Sequence, residues 1–207
     1  MRHRWPAFLG VLVLAAGSTW VSFRACDPAW FEAVRASGKT VPPGRAVAEF
    51  IGSTGDHLEF NLVVFALLWI GARGTRRTSW RRAAVAGMLA MAMAGLVANG
   101  FRGVTGRPRP STRLKMKVED GTEFGRGFRD GHAYSSFPSA HAATAFGTAT
   151  ATAIACPPVG LPALAYAGGM AWARTAQRAH HPSDVVAGSM LGIFFGLAAG
   201  AWARRRE

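Results

Sequence analysis

Apolar residues are gathered into long runs along this chain, and most of the charge lies between the runs. The first run spans residues 5–23 and follows Arg2, His3 and Arg4. A charged start before an apolar core also describes a signal peptide. Arg24 and Ala25 before Cys26 make a poor lipoprotein cleavage site, however, and the run is long enough to be kept as a first transmembrane helix. Further runs cover residues 58–72, 83–101, 140–156, 159–178 and 184–203. The pattern predicts an all-α polytopic membrane protein, a six-transmembrane-helix bundle forming a single domain over residues 1–207.

The segments between the runs refine this picture. Trp30, Phe31 and Val34 alternate with Glu32 and Arg35, which predicts a short interfacial helix over residues 27–37. Val41-Pro42-Pro43-Gly44 breaks it, and residues 45–51 form either another such helix or an ordered loop. Small residues recur every four positions at Gly188, Gly192, Gly196 and Gly200, and at Ala165, Gly169 and Ala173. Such stripes let helix backbones approach closely, here as packing within one bundle.

A formal net charge of +13 would ordinarily raise nucleic acid as a partner. The placement of the arginines argues otherwise. With the N-terminus in the cytoplasm, the basic loop at residues 73–82 and the tail Arg204-Arg205-Arg206 are cytoplasmic too. Six spans then put residues 24–57, 102–139 and 174–184 on the opposite face. Residues 102–139 are nevertheless basic, with Arg102, Arg107, Arg109, Arg113, Lys115, Lys117, Arg126 and Arg129, against the usual bias. An anionic substrate accounts for that excess, so no nucleic acid is expected. Cys26 and Cys156 fall on opposite faces in this topology, which predicts neither a disulfide nor a metal site.

Three clusters on that face carry chemistry. In Arg102-Gly-Val-Thr-Gly-Arg-Pro-Arg109-Pro110, the prolines stiffen a turn that holds the Arg109 guanidinium in place. Arg107 and Arg113 read as a snorkelling basic patch at the helix end. In Phe137-Pro138-Ser139-Ala140-His141, Ser139 is the expected N-cap of the next helix. Its free N–H groups favour an anion, and His141 in the first turn is a candidate proton donor. In Ala173-Arg174 through His180 to Asp184, an arginine precedes a histidine with a carboxylate in reach. The carboxylate can fix the imidazole tautomer, and the planar guanidinium fork suits a phosphate. His181 reads as a structural neighbour, and His57, Glu59, Asp130, His132 and Tyr134 read as solvated.

The combined pattern resembles the type 2 phosphatidic acid phosphatase family, which is related to the vanadium haloperoxidases. That family's signature is a lysine, six residues and Arg-Pro; then Pro-Ser-Gly-His; then Ser-Arg, five residues, His, three residues and Asp. Here Arg102 takes the lysine place, Ala140 the glycine place and Ala173 the serine place, while the other positions match over roughly residues 55–203. Residues 1–54 supply the first transmembrane helix and an interfacial segment.

The resemblance implies a metal-independent, cofactor-free phosphatase acting on a membrane lipid phosphate or pyrophosphate. Substrates of the phosphatidic acid, phosphatidylglycerol phosphate, undecaprenyl pyrophosphate and lipid A types occur in the family. His180 would be the nucleophile that forms a phosphohistidine, Asp184 its orienting partner and His141 the proton donor, with Arg102, Arg109, Ser139 and Arg174 binding phosphate. The expected location is a bacterial inner membrane, with the site on the periplasmic face. A lipid phosphotransferase using the same intermediate and a non-catalytic lipid-binding or transport protein are the competing readings. A haloperoxidase fits poorly, because those relatives are typically soluble.

Overall fold

The computed structural model describes residues 5–37, 44–54, 57–75, 78–116, 124 and 131–204. Among these residues the protein is all-helical, without strands. In chain order, α1 (Trp5–Val21) passes through a π turn (Ser22–Cys26) into α2 (Asp27–Ala36). Then come α3 (Arg45–Thr54), α4 (His57–Thr75), α5 (Thr78–Thr105) and α6 (Pro110–Met116). A 3-10 turn (Gly131–Tyr134) precedes α7 (Ala140–Ala155), α8 (Pro157–Ala176) and α9 (Pro182–Arg204).

Three helical segments are long and apolar enough to cross a membrane: Phe8–Ala36, Thr78–Lys115 and Pro182–Arg204. Their size and character make this a membrane protein. Large apolar side chains such as Leu14, Leu67, Ile70 and Leu96 are exposed on the bundle's exterior, as expected of surfaces solvated by lipid rather than water. The central helix, α7, has a different character. Built of alanine, threonine and glycine, it is buried along most of its length and packs against α9, α5 and α8. Thr144 donates back to the Ala140 carbonyl, and Thr148 donates to Asn61 of α4, while the buried hydroxyls of Thr150 and Thr152 have no partner among the described residues.

The glycine stripe of α9 makes this packing possible. A Cβ on Gly188 would lie 2.2 Å from the Ser139 carbonyl oxygen, and one on Gly192 would lie 2.3 Å from that of Ala143. The two backbones are therefore in direct contact, with no room for a methyl group. Gly188→Ala is expected to push α9 off the start of α7 and to lower stability by about 1–3 kcal/mol. Thermal unfolding in detergent measures it, and an unchanged melting temperature would contradict this packing.

One expectation changes, and one left open between two alternatives is decided. Residues 27–37 do not form a separate interfacial helix but continue α1. Pro28 stands just after the π turn, in the first turn of α2. The π turn resets the helical register, and beyond it Asp27 and Phe31 are buried. The segment starting at Arg45 is a helix rather than a loop, and it packs on the end of α8, where Gln177 Nε2 donates to the Ala48 carbonyl at 2.9 Å. Arg2, His3, Arg4, the Val41-Pro42-Pro43 break, Lys117, Arg126, Arg129, Asp130, Arg205 and Arg206 lie outside the described residues, as do the side chains of His57 and Glu59.

Candidate active site

Four backbone hydrogen bonds join the three sequence clusters at one end of the bundle. Arg109 N–H donates to the Ala133 carbonyl at 2.9 Å, and Ser136 N–H to that of Arg107 at 3.0 Å. Ser111 N–H donates to Arg178 at 3.2 Å, and Ser139 N–H to Asp184 at 2.9 Å. The turn after α5, the segment before α7 and the α8–α9 connection thus form one unit. Ser139 caps α7 as expected, its Oγ accepting from Ala142 N–H at 3.5 Å. The preceding N–H groups, of Ala140 and His141, have no acceptor within the helix and lie at its positive end.

His180 is fully buried between α8 and α9. Its Nδ1 lies 2.8 Å from the Ser136 carbonyl oxygen and 3.8 Å from Asp184 Oδ2. A carbonyl only accepts, so Nδ1 carries the hydrogen and Nε2 the lone pair. Nε2 has no hydrogen-bond partner among the described residues. Burial pushes the imidazole down to a pKa of about 4, Asp184 partly offsets this, and the charges of Arg109 and Arg102 lower it further. The ring is therefore neutral at neutral pH, with its nucleophilic nitrogen unprotonated.

The expectation that Asp184 orients His180 directly is modified. At 3.8 Å the contact is electrostatic, since a hydrogen bond requires a closer approach. The carboxylate is instead held by Arg107 Nη1 at 2.5 Å, Ser136 Oγ at 2.5 Å and His181 N–H at 2.8 Å. Ser136 joins the two groups, because its hydroxyl binds Asp184 and its carbonyl accepts from His180.

The charges of Arg102 and Arg109 reach the histidine, and that of Arg174 reaches both of these arginines. Arg102 Nε donates to the Pro138 carbonyl at 2.9 Å. Arg109 Nε donates to the His132 carbonyl at 3.0 Å. Arg174 Nη2 donates to the Gly52 carbonyl at 3.0 Å, which ties the site to α3. These bonds hold each fork on the backbone, and Arg174 acts electrostatically on both other arginines. Together they concentrate positive charge at this end of the bundle, which suits a multiply charged anion. Exposed His132 registers the same field, its pKa lowered first by Arg109, then by burial and by Arg102. His141 sits in the first turn of α7, beside Ser139. All seven residues expected at the site therefore sit at this end of the molecule.

Arg107 and Arg113 correct the sequence reading: neither snorkels, and their exposures are only 1% and 2%. Arg107 bridges two buried carboxylates, with Nη2 on Asp27 Oδ2 at 2.7 Å and Nη1 on Asp184 Oδ1 at 2.5 Å. Asp27 in turn accepts from Ser183 N–H at 2.9 Å and Ser183 Oγ at 2.5 Å, which places a carboxylate on the N-terminus of α9. Arg113 lies over the Phe31 ring at 4.2 Å. His181 packs between Trp30 and Phe31, a structural position as expected, and burial pushes its pKa down to about 3. Asp27, Ser136 and Arg107 are the functional candidates that sequence reasoning missed. Only the doubled Arg-Pro of residues 107–110 hinted at one of them.

Histidines and arginines thus gather at one end of a helical membrane protein. The model of the PAP2 superfamily matches residues 83–207, and the chain belongs to that superfamily. Its members are generally phosphatases, often acting on lipids, which assigns phosphoesterase activity at that coarse level. Comparisons with curated proteins and with solved structures returned no match.

Proposed function

We propose that this protein is a lipid phosphatase working through a phosphohistidine at His180. One observation carries the reading: a buried neutral imidazole whose Nε2 is unpartnered among the described residues, under the charge of Arg102 and Arg109. A nucleophile of this kind stays unprotonated at neutral pH, and its target is drawn to it by positive charge.

His180 Nε2 attacks phosphorus and the P–O bond to the lipid breaks. His141 gives a proton to the leaving oxygen, then takes one from the water that attacks the phosphohistidine. Phosphate leaves and His180 is restored. Arg102, Arg109 and Arg174, with Ser139 and the start of α7, hold the equatorial oxygens. Asp184 supports the imidazolium character that develops on His180, through Ser136 and by its charge at 3.8 Å.

The topology that fits this reading has α1, α4, α5, α7, α8 and α9 each crossing the bilayer. The arginine distribution then puts the site on the non-cytoplasmic face, periplasmic in a bacterial inner membrane. Arg102 offers a planar fork where the family has a point-charge ammonium, so it can take two phosphate oxygens at once.

Phosphate release from a panel of phosphatidate, phosphatidylglycerol phosphate, polyprenyl pyrophosphate and lipid A tests this with the purified protein. Turnover of at least one lipid is expected, undiminished by chelator and inhibited by orthovanadate, a mimic of five-coordinate phosphorus. A strict requirement for added magnesium, or transfer of the phosphoryl group to another lipid without release, would contradict the reading.

A further inference from the structure

An apolar cavity of about 530 Å³ lies between α1 and α9. Ala15 and Thr19 line it from α1, Ala187 and Leu191 from α9, and Phe137 and Pro138 close one end. That end adjoins the arginine cluster. The Pro138 carbonyl is the acceptor for Arg102 Nε at 2.9 Å, and the next residue is the Ser139 cap. Phe23 and Phe124 belong to the same end, and the Arg107 guanidinium lies 5.2 and 5.3 Å from their rings. A hydrocarbon-lined space and a cluster of arginines thus share one wall.

We propose that this cavity holds the apolar chain of the molecule whose phosphoryl group lies among Arg102, Arg109 and His180. The proposal rests on the phosphatase reading and adds where the rest of the substrate goes. The occupant is an amphiphile with an anionic head, because the site is cationic at one end and almost purely hydrocarbon beyond it. Along α1 the lining runs from Val11 to Phe23, about 18 Å at the helical rise, which suits a long chain. Residues 11–23 precede the region matched by the superfamily model. The first helix is therefore part of the substrate site as well as a membrane anchor.

Two measurements test this together. A phosphatidate with a diazirine at the end of one acyl chain is photolysed with the purified full chain in detergent, and the labelled residues are mapped by mass spectrometry. In parallel, kcat and KM are measured for Ala187→Phe, on long-chain phosphatidate and on a chainless phosphate monoester. Labels are expected on residues 11–23 and 187–195 and are expected to disappear with excess orthovanadate. The variant is expected to raise KM for the long-chain substrate about tenfold, with kcat and the chainless reaction unchanged.

Labels that spread evenly over Leu67, Ile70 and Leu96, or that ignore vanadate, would show ordinary boundary lipid and overturn the proposal. So would equal effects of Ala187→Phe on both substrates, or no effect on either. Vanadate-sensitive labelling of the cavity without phosphate release from any lipid would uphold the chain site and remove the phosphatase reading.

Discussion

His180→Asn is expected to fold and insert normally and to release phosphate at background rates. Asparagine keeps an N–H near the position of Nδ1, so the hydrogen bond to the Ser136 carbonyl survives while the Nε2 lone pair is lost. A side chain that forms the covalent bond cannot be bypassed by positioning alone. The loss in kcat is expected to be on the order of 10⁴-fold or more. His180→Ala is expected to lose as much turnover, with some added instability from a buried cavity. The unsubstituted protein carries a related signature in its pH dependence. Burial holds His180 near a pKa of about 4, so protonation removes the lone pair only as pH falls toward that value. The kcat/KM profile is expected to lack an acid limb near the ordinary histidine pKa of 6.5 that traces to His180. Near-wild-type hydrolysis by His180→Asn would overturn the assignment of the nucleophile.

The largest expected effect on stability is at Arg107. Its guanidinium is the shared counter-ion of Asp27 and Asp184, all three buried. Removing it leaves two carboxylates within the protein without that partner, a change that costs about 3–5 kcal/mol when a buried pair is broken. Arg107→Ala is therefore expected to lower the unfolding midpoint in detergent more than any substitution on the lipid-facing surface. Arg107→Lys should recover only part of the loss, because a point ammonium cannot span both carboxylates as the planar fork does. Activity should fall with stability, since Arg107 holds Asp184 in place. A change below about 1 kcal/mol for Arg107→Ala would mean that the bridge contributes little, as exposed pairs do.

How much of this was legible in the chain depends on the kind of signal. Helices α4, α5, α7, α8 and α9 fall where the apolar runs lie, because burial in lipid or bundle requires a long stretch of uncharged residues. The glycines at 188, 192, 196 and 200 announced a close contact, and their partner is α7. The seven candidate site residues could be picked out by residue type and spacing. Arg107 could not, because a buried strut and a snorkelling cation look alike beside an apolar run. What distinguishes them is Asp27, distant in sequence and brought inward after the π turn. Ser136 was invisible for another reason: its carbonyl fixes the His180 tautomer, and a backbone acceptor leaves no trace in residue type. The spacing of His180 and Asp184 suggested direct contact, whereas the carboxylate is taken up by Arg107, Ser136 and the His181 N–H. That difference makes Asp184 an anchor of the α9 start as well as an electrostatic support for the histidine.

The most direct test of the central claim is to trap the intermediate. The purified protein is mixed with a lipid substrate carrying labelled phosphate, quenched in alkali within a single turnover, digested, and the label located by mass spectrometry. Phosphate is expected on the His180 imidazole, appearing and decaying at rates compatible with turnover and absent from His180→Asn. Steady release of phosphate with no protein-bound label, or with the label on His141 or His181, would contradict it.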